Sequence, residues 1–313
     1  MKTQKTYSIE ASPLYGIPSK KKLATVLNTT PPKLHKLEKD PIFAVFMKDD
    51  RPIQEPKGLE RVIHDRIQTL LSRITSPDYV FSGKRGVCYI DNAKSHVRNT
   101  DVFAADIYHF YRSTKKEYVF RFFYYIMKMS ADVAHLMSGI CCYKDMLPTG
   151  SPLSQSLAFW AYSPMFGEIY SYAKKEGYTF SLYVDDMVFS RNTPIPRSFH
   201  LAMNAILKKY SLHLKKTKIH YRGKNQYKRV TGCIISPSHQ MLVPNWQREK
   251  IRDLLKALSS EDAIQKQETY QSLLGSIASA QQIEPDIYQE SRKALRAVYN
   301  QKRRTSKDKT SSD

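Results

Sequence analysis

Three aspartates have a residue type and a setting that suit metal-ion chemistry on phosphates. Asp185 and Asp186 are adjacent, and Asp106 lies about 80 residues upstream. Nucleotidyl transfer uses two divalent cations about 3.5–4 Å apart, one activating a hydroxyl and one holding pyrophosphate. Mg²⁺ prefers carboxylate oxygens, with water and phosphate completing its shell, and Mn²⁺ accepts the same ligands. We therefore predict that these three side chains bind metal and are catalytic.

The elements around the aspartates must hold them on rigid backbone. Residues 102–107 form an apolar run that predicts a buried strand ending at Asp106, and residues 180–190 predict a hairpin with Asp185 and Asp186 at its tip. Two carboxylates in so apolar a setting repel each other and are costly to desolvate, and a cation would offset both costs. Taken alone, the pair is also compatible with an exposed turn of an ordinary hairpin.

Other segments give a coarse outline of the fold. Residues 41–55 predict a strand pair, and 228–236 a further strand. Helices are predicted at 118–129, at 153–173 and after Pro244, where the apolar stripes are Ile251–Leu258, Leu273–Ile277 and Leu295–Tyr299. One more helix is predicted after Pro56, with an apolar face made of Leu59, Val62, Ile63, Ile67, Leu70 and Leu71.

Charge is the strongest bulk signal. The 313 residues include 50 Lys and Arg against 29 Asp and Glu, a net charge of +21, which indicates a polyanionic partner and favours nucleic acid. A membrane surface is the main rival, although no apolar run approaches the roughly 20 residues that span a bilayer. The four cysteines form no C-x-x-C pair, and no apolar leader follows Met1. We expect a cytoplasmic protein with free thiols and no membrane association.

Several short motifs occur in a fixed order around the aspartates. In this order and spacing they resemble the motif series of reverse transcriptases, and the N-A-x-x-H and V-T-G sequences make the likeness closest to bacterial retron reverse transcriptases. The resemblance covers roughly residues 50–300. The motifs are Asn92–His96, Asp106, Leu147–Pro152, Tyr183–Asp186, Lys215–Thr217 and Val230–Gly232.

The resemblance implies an α+β right-hand polymerase fold with fingers, a ferredoxin-like palm and a helical thumb. The composition and pattern of the chain set the bounds: a basic extension at 1–40, which is a mobile arm or a short helix packed on the body, fingers and palm at 41–240, the thumb at 241–300 and a disordered basic tail at 301–313. The resemblance further implies two Mg²⁺ ions, with Mn²⁺ as a substitute. The implied reaction copies a structured non-coding RNA into branched, RNA-linked DNA from dNTPs, with a separate effector protein in anti-phage defence.

Roles for single residues also come from the resemblance. Tyr111 would exclude ribonucleotides by crowding the sugar 2′-carbon, although a core aromatic is the alternative. The other implied nucleotide contacts are Arg51, Thr149, Gly150 and Lys216, and a solvated surface position is the alternative for Arg51 and Lys216. The implied RNA-binding residues are Asn92, His96, Val230, Thr231 and Gly232. For Asn92 and His96, bracing of the fingers is the alternative.

Three positions depart from the retron pattern. Val184 stands where the family usually has Ala. Thr149 replaces a Gln whose amide could contact the incoming nucleotide. Gln155 replaces the final Pro of the usual P-x-S-P sequence. None of the three is a predicted metal ligand. Two other functions stay open: another bacterial reverse transcriptase, of group II intron or defence type, and a non-catalytic RNA-binding scaffold.

Overall fold

The computed structural model describes residues 6–258 and 263–297 as two compact units of mixed helix and sheet. The first unit comes from the chain up to Cys88 and from Asp101–Tyr221, and the second from Tyr89–Thr100 and from Arg222 onward. The fold is α+β, as predicted. The fingers, palm and thumb boundaries concern functional subdomains and stay a prediction. The tail at 301–313 lies outside the described residues.

The strands form three sheets. In chain order they are β1 Phe43–Lys48, β2 Arg51–Pro56, β3 Asp101–Asp106, β4 Thr179–Tyr183, β5 Asp186–Arg191, β6 His220–Arg222, β7 Lys228–Val230, β8 Cys233–Ile235 and β9 Met241–Leu242. β1 and β2 form a separate hairpin, the order β4-β5-β3-β6 makes a four-stranded sheet, and β7-β8-β9 makes a three-stranded sheet. The predicted strand pair at 41–55 and the predicted hairpin at 180–190 are both confirmed.

Twelve α-helices have both ends within the described ranges. They are α1 Lys20–Val26, α2 Pro31–Lys39, α3 Gly58–Leu71, α4 Tyr89–Lys94, α5 Phe110–Ser113, α6 Lys116–Arg121, α7 Ala131–Cys141, α8 Ser154–Ala161, α9 Ser163–Lys175, α10 Phe199–Lys209, α11 Asn245–Ala257 and α12 Ala263–Ile283. None of these helices is long and apolar enough to cross a membrane. None of the four cysteines is in a disulfide, as the sequence predicts.

The four-stranded sheet supplies the centre of the first unit. Alternation along β3 and β5 buries Phe103, Met187 and Phe189 completely, and these side chains join one continuous apolar core. Helices α1 and α2 belong to the same core, because Leu23 and Leu34 are fully buried in it. The basic N-terminal segment is therefore folded from Lys20 onward, which favours the packed-helix alternative over a mobile arm.

Several helix predictions need correction. The helix predicted at 118–129 is α6 followed by a π-helical turn at Phe122–Ile126, and it ends before Met129. The helix predicted at 153–173 is broken at Tyr162, because the α-helical conformation is disfavoured close before Pro164, and α9 begins with that proline in its first turn. Val62 is not on the buried face of α3, since 60% of it is exposed.

The second unit combines the three-stranded sheet with helices. The single strand predicted at 228–236 is in fact the β7–β8 hairpin, which turns at Thr231 and Gly232 with positive φ values of 42° and 92°. Residues 289–297 are also helical. The apolar stripes are buried only in part: Ile251, Leu273, Ile277 and Leu295 are buried, Leu254, Leu255, Leu258 and Leu274 are half-buried, and Val298 and Tyr299 lie outside the described residues.

Candidate active site

Strand register brings the predicted carboxylates to one end of the four-stranded sheet. β3 and β5 are antiparallel, and Asp106 is the direct partner of Asp186 in that pairing. Tyr183 pairs with Asp186 across β4 and β5, so Val184 and Asp185 form the two-residue turn between them. The Ile107 amide donates to the Asp185 carbonyl at 3.1 Å, which ties the turn to the end of β3.

The turn has an unusual backbone conformation. Val184 has φ of 61°, in the left-handed region that a β-branched residue rarely adopts. Its amide donates to the Ser82 hydroxyl at 2.9 Å, and the Phe81 amide donates to the Leu182 carbonyl at 2.9 Å. Strained residues persist where their surroundings fix them, and they cluster at functional sites. The surrounding strands and Ser82 therefore fix the position of Asp185.

The pKa values of the carboxylates reflect their burial and the charges of their neighbours. Burial, together with the negative charges of Asp106 and Asp186, raises the pKa of Asp185 to about 7. Burial also raises the pKa of Asp106, while the charges of Lys218, Lys215 and Arg51 oppose that rise. The negative charges are thus held together at a cost, which a cation would relieve.

The donor set fits a divalent cation of the Mg²⁺ type. Carboxylate oxygens are hard ligands, and Mg²⁺ keeps several waters and substrate phosphates in its shell, so an open set of aspartates suffices. In the described parts of the chain, no group of three or more His, Cys, Asp or Glu side chains is arranged so that it could hold a metal ion, and this includes the three aspartates. Metal binding by Asp106, Asp185 and Asp186 therefore stays a prediction.

The lysines nearest the carboxylates differ from the one chosen from the sequence. Lys215 donates its amide to the Asp106 carbonyl at 2.8 Å and begins a 3₁₀ turn over Lys216–Lys218. Residues three apart lie on the same side of such a turn. Lys215 and Lys218 accordingly both lower the pKa of Asp106, whereas Lys216 has no such effect. A role for Lys216 stays a prediction, and the i, i+3 spacing was the signal that favoured its neighbours.

Tyr111 and Arg51 lie beside the carboxylates. Burial raises the pKa of the Tyr111 phenol, and the charge of Asp185 raises it further, so the ring is half-buried close to that carboxylate. Arg51 is exposed at the start of β2, and its charge reaches Asp106. These positions suit the predicted contacts with the sugar and the triphosphate, which stay predictions.

Thr149 and Gly150 form hydrogen bonds with strand β2 of the β1–β2 hairpin. The Thr149 hydroxyl donates to the Pro52 carbonyl at 2.9 Å, and its amide donates to Gln54 Oε1 at 3.2 Å. The Gly150 amide donates to the Gln54 carbonyl at 3.1 Å. A Cβ on Gly150 would lie 2.8 Å from that oxygen and from the Ile53 Cγ2 atom. Only glycine, which has no Cβ, therefore allows the loop to approach β2 this closely.

A buried histidine forms a hydrogen bond with the same loop. His64 is fully buried on α3, and its Nδ1 atom lies 2.7 Å from the Ser151 hydroxyl. Its Nε2 atom lies 2.9 Å from the Ile140 carbonyl, which can only accept, so in the neutral ring Nε2 carries the proton and the Ser151 hydroxyl donates to Nδ1. Glu60, also fully buried, lies 3.4 Å from Nε2. His64 was not predicted from the sequence, because a polar residue within an apolar helical face gives no sign of its partner.

The predicted RNA-binding residues cluster in the second unit. The Asn92 amide donates to the Thr231 hydroxyl at 3.1 Å, and that hydroxyl donates to the Tyr89 carbonyl at 3.0 Å. Asn92, His96 and Val230 are fully buried. Burial favours a bracing role for Asn92 and His96, and Asn92 contacts the β7–β8 turn through Thr231. RNA contact by these five residues stays a prediction.

His96 makes the stability of the second unit sensitive to acid. Burial lowers its pKa from 6.5 to about 3, so below pH 6.5 the unfolded chain binds a proton that the native chain does not. We expect His96 to contribute a fall in unfolding free energy of about 1.4 kcal/mol per pH unit as pH drops from 6.5 towards 3. Urea denaturation at pH 7, 6 and 5 measures it.

The same titration separates His96 from the other histidines. His96→Gln should flatten the pH dependence, whereas His135→Gln, at an exposed histidine on α7, should leave it unchanged. Equal slopes in wild type and His96→Gln would show that this imidazole does not stay neutral in the native state.

Comparison with known proteins identifies two relatives of this chain. No protein-family model matches it. It is 25% identical over 190 residues to the retron Ec86 reverse transcriptase of Escherichia coli, covering 59% of this chain and 57% of that protein. It is 29% identical over 144 residues to the retron Se72 reverse transcriptase of Salmonella heidelberg (strain 579083-10), covering 46% of this chain and 38% of that protein. The matches thus span about half or less of the length of these curated relatives.

The α+β fold, with carboxylates at the end of an antiparallel sheet, is compatible with a polymerase-like class of protein. Within that class, the chain is related to retron reverse transcriptases. The resemblance seen in the short motifs is therefore confirmed by similarity over longer stretches of the chain.

Proposed function

We propose that the chain is the RNA-directed DNA polymerase of a retron. It copies a structured non-coding RNA in the cytoplasm into branched, RNA-linked single-stranded DNA. The observation that carries this is the register that pairs Asp106 with Asp186 and puts Asp185 in the adjoining turn, in a chain related to retron reverse transcriptases. We further propose, from the retron resemblance of its motifs, that it acts with a separate effector protein in anti-phage defence.

Each part of the site has a task in that reaction. Asp106, Asp185 and Asp186 would hold two Mg²⁺ ions, which lower the pKa of the primer hydroxyl and neutralise the leaving pyrophosphate. Arg51, Lys215 and Lys218 place positive charge beside Asp106, where it attracts the dNTP triphosphate. Tyr111, which is close enough to Asp185 for that charge to raise its pKa, would exclude ribonucleotides by crowding the sugar 2′-carbon. The hydrogen bonds from Thr149 and Gly150 to β2 set the distance between the Leu147–Pro152 loop and the strand that carries Arg51.

The test is to express the chain together with its flanking genomic DNA and to extract the nucleic acid bound to the purified protein. Sensitivity to RNase and to DNase identifies each strand. We expect a short single-stranded DNA joined to RNA, present with the wild type and absent with Asp185→Asn. Recovery of RNA alone from both proteins would instead support the RNA-binding scaffold, and DNA without linked RNA would support another type of reverse transcriptase.

The hydrogen bond between His64 and Ser151 leads to a further prediction. Ser151→Ala removes the hydroxyl that donates to His64, a loss of about 1 kcal/mol, and loosens the loop next to Gly150. We expect the KM for dNTP to rise about three- to tenfold, with template–primer affinity unchanged. Steady-state incorporation of dNTP measures both.

Ser138→Ala is the matched control for Ser151→Ala. Ser138 is a buried serine on α7 whose hydroxyl donates to the His135 carbonyl at 2.8 Å, within its own helix. Its removal should leave KM unchanged. An equal KM for the wild type and Ser151→Ala would show that the hydrogen bond to His64 does not position the loop.

A further inference from the structure

The three-stranded sheet of the second unit has two unlike faces. Side chains alternate along β7 and β8, so Val230, Cys233 and Ile235 are buried on one face. On the other face, Arg229 pairs with Ile234, and Ile234 pairs with Leu242. This second face is open, because Arg229 is exposed and the two apolar residues are only half-buried.

Two aromatic side chains stand beside the open face. Tyr227 precedes β7 and is 61% exposed, and Trp246 lies in the first turn of α11 and is 54% exposed. Together with Arg229, Ile234 and Leu242 they line a cavity of about 700 Å³. Aromatic rings so exposed on an ordered surface lose hydration when they stack on a flat partner, so this surface suits a ligand with planar groups.

The charge around the cavity has one sign. No lining residue in the described parts of the chain is acidic, and Arg229 and Arg248 are both present. Arg248 is fixed: its Nε donates to the Val243 carbonyl at 3.0 Å, and its guanidinium pairs with Glu284. Arg229 forms no ion pair with any described carboxylate. The cavity therefore presents one guanidinium, that of Arg229, for a phosphate together with two exposed aromatic rings.

We propose that this surface, the Tyr227–Trp246 face, binds a single-stranded segment of RNA. Aromatic platforms combined with a basic groove are the means by which proteins hold unpaired strands, because each exposed base presents a flat face and each linkage a charge. A duplex hides its base faces, and an acidic peptide lacks regularly spaced planar groups. The choice of RNA over DNA rests on the proposed function, in which the chain holds an RNA throughout synthesis.

Tryptophan fluorescence reports on the surface directly. The chain has only two tryptophans, and Trp160 is buried in the first unit, so Trp246 dominates quenching by added acrylamide. A 12-nucleotide oligouridine, which has no stable secondary structure, is titrated into the full-length wild-type protein without metal or dNTP. We expect binding to quench Trp246 emission and to protect it from acrylamide. Binding of the RNA, detected by anisotropy of a labelled strand, without change at Trp246 would overturn the proposal.

Variants then test the residues. Tyr227→Ala and Arg229→Gln should each weaken oligouridine binding about tenfold, the usual scale for losing one stacked base or one phosphate contact. Tyr125→Ala is the matched control, since Tyr125 is 60% exposed but lies in the first unit. Affinities equal to that of wild type in both variants would overturn the proposal, and tighter binding of oligothymidine than of oligouridine would overturn the choice of RNA.

The outcome is separable from that of the proposed function. Asp185→Asn should bind oligouridine as the wild type does, because the carboxylates are not part of this face. DNA synthesis on a supplied template with no effect at Trp246 would refute the RNA surface alone. Protection of Trp246 by a chain that makes no DNA would refute the polymerase proposal alone.

Discussion

Asp185→Asn is expected to lower dNTP incorporation by about a thousandfold or more while the protein still folds and binds RNA. The substitution keeps the shape of the side chain and removes the negative charge that a metal ion needs. Charge stabilisation by bound metal is worth several kcal/mol of the barrier, and each 1.4 kcal/mol is about tenfold in rate. Because burial and the neighbouring carboxylates raise the pKa of Asp185, removal of its charge should not destabilise the native state. Primer extension on a supplied RNA template measures the rate.

Asp101→Asn is the matched control for that substitution. Asp101 begins β3, the same strand that ends at Asp106, and pairs with Arg191 in the sheet. Its replacement should leave incorporation within about threefold of wild type. Full DNA synthesis by a folded Asp185→Asn protein would refute the carboxylate mechanism, and equal losses in both variants would point to damage to the sheet.

Gly150→Ala is expected to reduce incorporation about a hundredfold and to lower the unfolding free energy by about 1–3 kcal/mol. The new Cβ would lie 2.8 Å from the Gln54 carbonyl oxygen and from the Ile53 side chain, so the loop and β2 must separate. Overpacking of this kind costs about 1–3 kcal/mol. A displacement of about 1 Å at a reacting centre can cost two orders of magnitude in rate. Single-turnover incorporation and urea denaturation measure the two effects.

Gly167→Ala separates steric conflict from the general effect of replacing glycine. Gly167 lies within α9, and a Cβ there meets nothing within 4 Å. Alanine is the better helix former by about 1 kcal/mol, so this variant should be more stable than wild type and equally active. Wild-type activity in Gly150→Ala would show that the loop can move away from β2 without loss.

The placement of the carboxylates was the part most open to prediction from sequence. An apolar run ending at Asp106 and an alternating segment around Asp185 each have a strand period, and buried strands of this kind pair with one another. The structure confirms both the strand and the hairpin. The metal-binding role of these residues remains a prediction that chemistry, not topology, must test.

The support around the loop could not be predicted, because it depends on pairs distant in sequence. His64 and Ser151 are 87 residues apart, and Gln54 and Thr149 are 95 apart. Nothing in the local pattern of either partner names the other. The resemblance indicated Thr149 as a nucleotide contact that lacks the usual amide, and it gave no sign that the hydroxyl and backbone of this residue fasten the loop to β2. The positions of Lys215 and Lys218 beside Asp106 were not predicted for a local reason, because the 3₁₀ turn was not anticipated.

The left-handed Val184 also bears on how the chain folds. A turn that costs roughly 1–2 kcal/mol in local conformation cannot nucleate its own hairpin, so β4 and β5 must be brought together by their apolar side chains. The pairing of β3 with β5 joins residues 80–90 positions apart, and contacts of such separation form slowly. We therefore expect the carboxylate cluster to be assembled late in folding, so partly folded chains would lack it.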